Sequence, residues 1–280
     1  MVQYQAIGRF TARTESYGKT TGAANYTPDV DLPGMLWAKV LRSQVPHAII
    51  THIDTSKAAA LPGVHAVITG ADVAGVRYGR RYRDLNVLSD GHIRFIGDRI
   101  AAVAAETKEI AEIAAELIEI EYDELPGVFD PFTSAKPDAP LIHPDVNSYS
   151  GLPEILVPAS NVFVDEIHGR GDLEAGFAKA DKIVENTYTV SRQHQGYMEP
   201  HCCVAWLDDD GVLQVWAPNK NPHGVKGAIA IAVNMDPGKV KLNPVTVGGD
   251  FGGKGATLEE PLTCLLAIKS GRPVKHVFSY

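Results

Sequence analysis

Residues 108–125, "KEIAEIAAELIEIEYDEL", change periodicity midway, and that change limits what the chain can fold into. Ile110, Ile113, Ala114, Leu117 and Ile118 recur at helical spacing with glutamates opposite them, the pattern of an amphipathic helix with one buried face. From "IEIEYDEL" onward the apolar residues alternate every second position, so the helix passes the chain directly to a strand. Upstream lie short alternating runs bounded by turn residues. "PGMLWAKVLRS" alternates through Leu36, Ala38 and Val40, and "LPGVHAVITGADV" again follows Pro-Gly and stops at Gly70. "HIRFIGDRIAAVAAET" reads as a strand pair turning at Gly97-Asp98. Strands interleaved with one amphipathic helix predict a small α+β domain over residues 1–125.

Residues 126–165 are rich in Pro, Asp and Ser and hold no long periodic segment, yet are too apolar for a free linker. They predict an ordered connector lying over the surface. Periodicity returns over residues 166–280, the second domain. Asp172 is placed to cap a short helix through Lys179, and a strand is expected from Lys182 to Val190. "CCVAWLDDDGVLQVWAP" is a hairpin around Asp-Asp-Asp-Gly, "NPHGVKGAIAIAVNM" a helix stopped before Pro237-Gly238, and "KVKLNPVTV" a strand.

Charge and cysteine usage exclude several function classes. A net charge of −8 and a pI near 5.7 give no electrostatic support to nucleic-acid binding. The three cysteines, Cys202, Cys203 and Cys264, include no CxxC pair, which argues against a disulfide framework, a cysteine-rich zinc site or an iron–sulfur cluster within this chain. The first residues lack the apolar core of a signal peptide, and no apolar run approaches ~18 residues. A cytoplasmic protein without a membrane partner is expected.

Three stretches carry chemistry. The first is "VTVGGDFGGKGATLEEP", where a strand feeds a glycine-rich loop and then a helix. Thr257 and Glu260 read as a capping box, which would aim backbone N–H groups and the positive end of a helix dipole at an anion. The Walker A pattern nearly fits from Gly248 through Lys254, but Gly255 stands where the Mg²⁺-binding hydroxyl belongs, and Asp250 has the wrong sign for a phosphate cradle. A nucleotide hydrolase on this loop would depend on Lys254, and a purely structural turn is the simpler alternative. The second stretch is "RQHQGYMEPHCC". Its His194, Glu199 and His201 invite a metal reading, but Pro200 interrupts the ladder and the helical H-E-x-x-H spacing is missing. The third is "VWAPNKNPHGV", a strand end and helix start that bring Lys220 and backbone donors to one place.

Together, "YMEPH", "VWAPNKNPHGV" and "VGGDFGGK" resemble successive signatures of the molybdenum hydroxylase large subunit, in the xanthine dehydrogenase, aldehyde oxidase and carbon monoxide dehydrogenase family. "GKTTGAANYTPDVDLPGMLWAKVLRS", "LPGVHAVITGADV" and "IRFIGDRIAAVAAET" are similar to its N-terminal a/b hammerhead domain, and "GDLEAGFAKADKIVENTYTVSRQHQGYMEP" to the opening of its molybdopterin-binding domain. The resemblance covers nearly the whole chain. It implies a hammerhead domain followed by the first part of a mixed α/β cofactor domain. It also implies a molybdenum–molybdopterin cofactor, commonly the cytosine dinucleotide form in bacteria, and oxidation of aldehydes or aromatic heterocycles with oxygen from water. Electrons would pass to iron–sulfur clusters and FAD on partner chains or domains. Carried onto this sequence, the cofactor loop is Gly249, Asp250, Phe251, Gly252 and Gly253, with the Phe251 backbone amide near the molybdenum and Lys220 at its apical ligand.

Three positions depart from the family pattern. Lys220 stands where a glutamine usually donates to the apical oxo ligand, and Asp250 replaces a glycine or small residue. Gly255 stands where xanthine-oxidising members carry a substrate-contacting glutamate, which makes xanthine a poor substrate. The family's large subunit is also considerably longer, and its general-base glutamate lies downstream. No catalytic residue is therefore assigned in this chain. It is expected to be the N-terminal portion of such a subunit, a fragment or one piece of a split one, inactive without the remaining part. The alternative is a non-catalytic scaffold of such a complex.

Overall fold

The computed structural model describes residues 7–79, 82–151, 160–162 and 166–279. The first part runs α1 (Ser16–Thr21), β1 (Leu36–Arg42), β2 (Ala48–Asp54), α2 (Ser56–Ala60), β3 (Val64–Thr69), β4 (Arg77–Tyr78), β5 (Leu85–Asn86), β6 (His92–Ile93), β7 (Arg99–Ala105), α3 (Lys108–Glu116) and β8 (Glu119–Glu124). After α4 (Pro131–Ser134) and α5 (Leu173–Ala178) come β9 (Cys202–Leu207), β10 (Leu213–Trp216), α6 (Pro222–Ala232), β11 (Val240–Asn243), α7 (Glu260–Ser270) and β12 (Val274–Val277).

The organising strand is β7, whose sequence "IAAVAA" is buried throughout. Successive side chains of a strand point to opposite faces, and β7 uses both. Ala101 and Val103 pack with Ala114, Ala115 and Ile118 of α3 and its exit, while Ala102 and Ala104 join the core that holds Leu262 and Leu266 of α7. The sheet is thus covered on both sides. Thr107 caps α3 by accepting the Ile110 N–H. The buried stripe differs in part from the expected one: Ala114 and Ile118 are buried and Leu117 packs beside them, but Ala111 and Ala115 are buried too, and Ile113 is exposed. The small alanine face packs against Ala101 and Val103 of β7.

The seven-stranded sheet has the order β11-β10-β9-β12-β1-β7-β3. β1 pairs with β12 in parallel, Leu36 opposite Val274, so a single sheet runs across residues from both parts of the chain. A second sheet, β6-β2-β8, is antiparallel. The strand pair expected around Gly97-Asp98 is not one: β6 pairs with β2, and β7 with β1 and β3. The turn instead carries the chain from one sheet to the other, anchored by Ser43 N–H on Asp98 O and Gly97 N–H on Ser43 O. The hairpin β9–β10, α6 and the strand after α3 form as the sequence requires. So does α5, capped by the Asp172 side chain on Ala175 N–H.

The strand expected from Lys182 to Val190 does not form. Ile183, Val184, Tyr188 and Val190 are exposed, and no neighbouring strand among the described residues supplies a ladder to match their alternation. The described part of the connector is fastened by Arg77, which donates to Asp145 at 2.7 Å and lies over the Tyr149 ring at 4.1 Å. The rest of it, residues 152–159 and 163–165, lies outside the described residues.

Candidate functional site

The glycine loop follows β11 and is tethered to residues near the start of the chain. Thr246 N–H donates to Asn25 O at 3.0 Å. Beyond it, Gly249, Phe251 and Gly252 all have positive φ, at 116°, 43° and 97°. Phenylalanine pays a steric penalty in that region, and such strain persists only when its surroundings enforce it. The enforcing contacts are local: Gly253 N–H donates to Asp250 O at 2.7 Å, closing a turn with Phe251 at its tip, 77% exposed.

The glycines are explained by what lies against them. A Cβ on Gly248 would sit 2.6 Å from Glu199 Cβ, one on Gly249 2.9 Å from Tyr197 Cβ, and one on Gly253 2.7 Å from the Tyr197 ring. The "YMEPH" segment is therefore the floor of the loop. Two stretches about 50 residues apart in sequence form one object.

A buried ion pair fastens them. The Lys254 side chain is fully buried, and its Nζ donates to Glu199 Oε2 at 2.6 Å and to Glu199 O at 2.8 Å, 4.8 Å above the Tyr197 ring. Glu199 Oε2 also accepts Gly248 N–H at 2.7 Å. This geometry overturns the near-Walker reading, since the lysine that should meet a phosphate is enclosed and neutralised. It also removes Glu199 from any zinc set: the carboxylate faces Lys254 and Gly248, while His194 and His201 pack edge-on to Tyr197. Among the described residues, no cluster of three or more His, Cys, Asp or Glu side chains could hold a metal ion by itself.

Lys220 arrives from the other side. Asn221 caps α6 by accepting the Gly224 N–H, and Lys220 N–H donates to Lys254 O at 3.0 Å, which fixes the start of that helix against the loop. The Lys220 Nζ reaches Asp250 Oδ2 at 3.1 Å. Asp250 Oδ1 accepts the Lys254 N–H. That backbone bond, followed by Lys220, holds the Asp250 carboxyl below the usual carboxylate range. Of the residues singled out in the sequence, Lys220, Gly249, Asp250, Phe251, Gly252 and Gly253 are brought together.

The capping box is a correction. Helix α7 begins at Glu260 with Glu259 as its cap, and Glu260 accepts the N–H of Leu258 rather than closing on Thr257. Pro261 in the first turn fixes the start there. The Glu259 side chain makes no capping hydrogen bond and pairs with Arg42 instead. Sequence reading also missed what holds the loop's exit. Tyr78 Oη donates to Leu258 O at 2.7 Å, Arg99 donates to Tyr78 Oη at 3.0 Å, and Arg42 and His276 flank the Glu259 carboxylate. Burial lowers the His276 imidazole and raises the Glu260 carboxyl. Arg42 and Arg99 looked like ordinary strand-end cations, more than 150 residues from their partners, and no local signal marks them.

The loop suits an oxyanion-bearing group. The N–H groups of Gly249, Asp250 and Phe251 find no protein acceptor among the described residues, and the Lys220 ammonium is half-exposed beside them. Glu199 Oε1, beneath the loop, is a buried acceptor without a hydrogen-bond partner among the described residues. Unpaired amides and a cation fit a cofactor that brings phosphate and oxo oxygens.

Comparison with known proteins agrees. Residues 21–126 match the aldehyde oxidase and xanthine dehydrogenase a/b hammerhead domain, and residues 157–280 the molybdopterin cofactor-binding domain. The chain is 41% identical to a probable xanthine dehydrogenase subunit of Bacillus subtilis over 94% of its own length and 34% of that protein's. It is 36% identical to the nicotinate dehydrogenase large molybdopterin subunit of Eubacterium barkeri, over 99% of this chain and 62% of that one. Among solved structures, quinoline 2-oxidoreductase from Pseudomonas putida superposes with a TM-score of 0.84 at 31% identity, covering 99% of this chain and 35% of that one. The chain thus spans between about a third and three-fifths of the length of these relatives.

Proposed function

Because this chain belongs to the aldehyde oxidase and xanthine dehydrogenase family of molybdopterin-binding large subunits, we propose that it is the part of a molybdenum hydroxylase that holds one side of the molybdenum–molybdopterin cofactor. The observation that carries this reading is the convergence of Lys220, the 249–253 loop and the Tyr197–Glu199 floor around the buried Lys254–Glu199 pair.

When bound, the cofactor supplies the metal chemistry that adds water-derived oxygen to an electron-poor carbon. The chain's own residues position it. The strained turn at Phe251 presents a backbone N–H at the loop tip, and Lys220 offers an ammonium donor beside it. The bare Cα atoms at 248, 249 and 253 let the loop lie against Glu199 and Tyr197, and the enclosed ion pair fastens it there.

The substrate class we propose is an aldehyde or an aromatic heterocycle, in keeping with relatives named for nicotinate and quinoline. The general-base glutamate comes from outside residues 1–280. Iron–sulfur and FAD subunits accept the electrons, and the pterin is the cytosine dinucleotide form. Metal analysis of the protein purified with its native partners tests the reading. One molybdenum per complex supports it, whereas a fully assembled complex without molybdenum refutes it and favours a non-catalytic scaffold.

A further inference from the structure

Three features of the sequence that looked like separate oddities meet at one point. The Lys220 side chain crosses directly above Gly255, where a Cβ would stand 2.7 Å from Lys220 Cε. Its ammonium then reaches Asp250 Oδ2 at 3.1 Å, while Asp250 Oδ1 takes the N–H of Lys254, the residue whose side chain anchors the loop. A side chain at position 255 would force the arm off this path, so the bare Cα there is what lets it run straight to Asp250. The carboxylate at its end is fixed by the backbone rather than by the lysine alone. The pair is therefore a built feature: one member is held by the turn, and the other is guided over a glycine.

We infer that Lys220, Asp250 and Gly255 act as one positioning unit, in which Asp250 fixes the Lys220 ammonium at the rim of the loop and offsets its charge toward the bound cofactor. A lone lysine there would pull the metal centre toward its reduced, more electron-rich state, and a lone aspartate would push the other way. Held together at 3.1 Å, the two present a directed N–H donor with almost no net charge. A coupled pair explains how the chain keeps both residues at a charge-sensitive position. The inference rests on the proposal that this loop faces the molybdenum cofactor.

The test is a redox titration of the molybdenum in the assembled holoenzyme, followed by its paramagnetic signal. K220Q is expected to lower the midpoint potential, D250N to raise it, and K220Q/D250N to return close to wild type. Single variants that leave the potential unmoved, or shift it in the same direction, overturn the inference. A wild-type complex with no molybdenum overturns the proposed function instead, so the two failures are separable. A second measurement needs no cofactor: the titration of the Asp250 carboxyl by NMR in the full chain. K220A and G255A should each raise its midpoint, because each takes the ammonium away, and the double variant should raise it no further. An unchanged midpoint in G255A shows that the arm does not depend on the missing Cβ and refutes the unit. Thermal melts of all variants confirm that the folded state is being compared.

Discussion

Replacing Lys254 with methionine tests whether the buried pair holds the loop. The lysine side chain is 0% exposed and that of Glu199 6%, so the change leaves a carboxylate enclosed with only the Gly248 N–H as a hydrogen-bond donor. Breaking a buried pair by removing one partner costs about 3–5 kcal/mol, because the survivor keeps its desolvation penalty. A second route bounds the figure. The stranded carboxyl can take up a proton, and for an ordinary glutamic acid, titrating near pH 4.3, that costs about 3.7 kcal/mol at pH 7. The expected loss at pH 7 is therefore about 3–4 kcal/mol, or roughly 6–16 °C in melting temperature for a chain of this size.

The second route also predicts a pH dependence. A carboxyl that must be protonated in the folded variant binds more protons folded than unfolded, so the stability of the variant falls as pH rises. By the same arithmetic the penalty shrinks to about 1 kcal/mol at pH 5. Urea unfolding of wild type and K254M at both pH values measures it, with unchanged slopes as the check on two-state behaviour. K254M/E199M, which removes both charges, should recover much of the loss. A K254M penalty below about 1 kcal/mol at pH 7, or one that does not change with pH, would falsify the clamp.

Other expectations follow from neighbouring features. G249A forces a side chain into φ 116° and against Tyr197 Cβ, and should lower stability by about 1–3 kcal/mol in a thermal melt. Y78F removes one of two donors to Leu258 O and one acceptor of Arg99, both part-buried, and should cost about 0.5–1.5 kcal/mol by urea unfolding. Burial and the nearby Arg94 depress His143 to about 4, so the folded protein keeps it neutral where the unfolded chain would charge it. Its contribution is present above about pH 6.5 and is lost as pH falls toward 4, so H143Q should flatten acid unfolding across that window. Burial pushes Cys202 to about 12 and raises Cys203 as well, so native protein at pH 8 should leave a thiol reagent unconsumed until denatured.

What could be read from the sequence depended on whether a signal was local. The change from period 3.6 to period 2 at Ile118 is local, and α3 and β8 appear where it put them, as do the helices α5 and α6 where their capping residues stand. Strand pairing is not local. The alternation at Lys182–Val190 says only that the segment could be a strand, and without a neighbour it stays irregular and exposed. Likewise nothing in "HIRFIGDRI" says that its two runs enter different sheets. The candidate site divides in the same way. The loop glycines, Phe251, Asp250 and Lys220 stood out because their types are unusual in short windows. Their meaning came from partners that no window contains: Glu199 beneath Lys254, and Gly255 beneath the Lys220 arm. Lys254 shows the difference most sharply. In sequence it is the residue a phosphate-binding loop needs, and in the fold it is an enclosed cation committed to a carboxylate 55 residues upstream. A glycine-rich loop ending in lysine is therefore no evidence for nucleotide binding until the lysine is shown to be free, because a buried acid on an adjacent strand end can claim it completely.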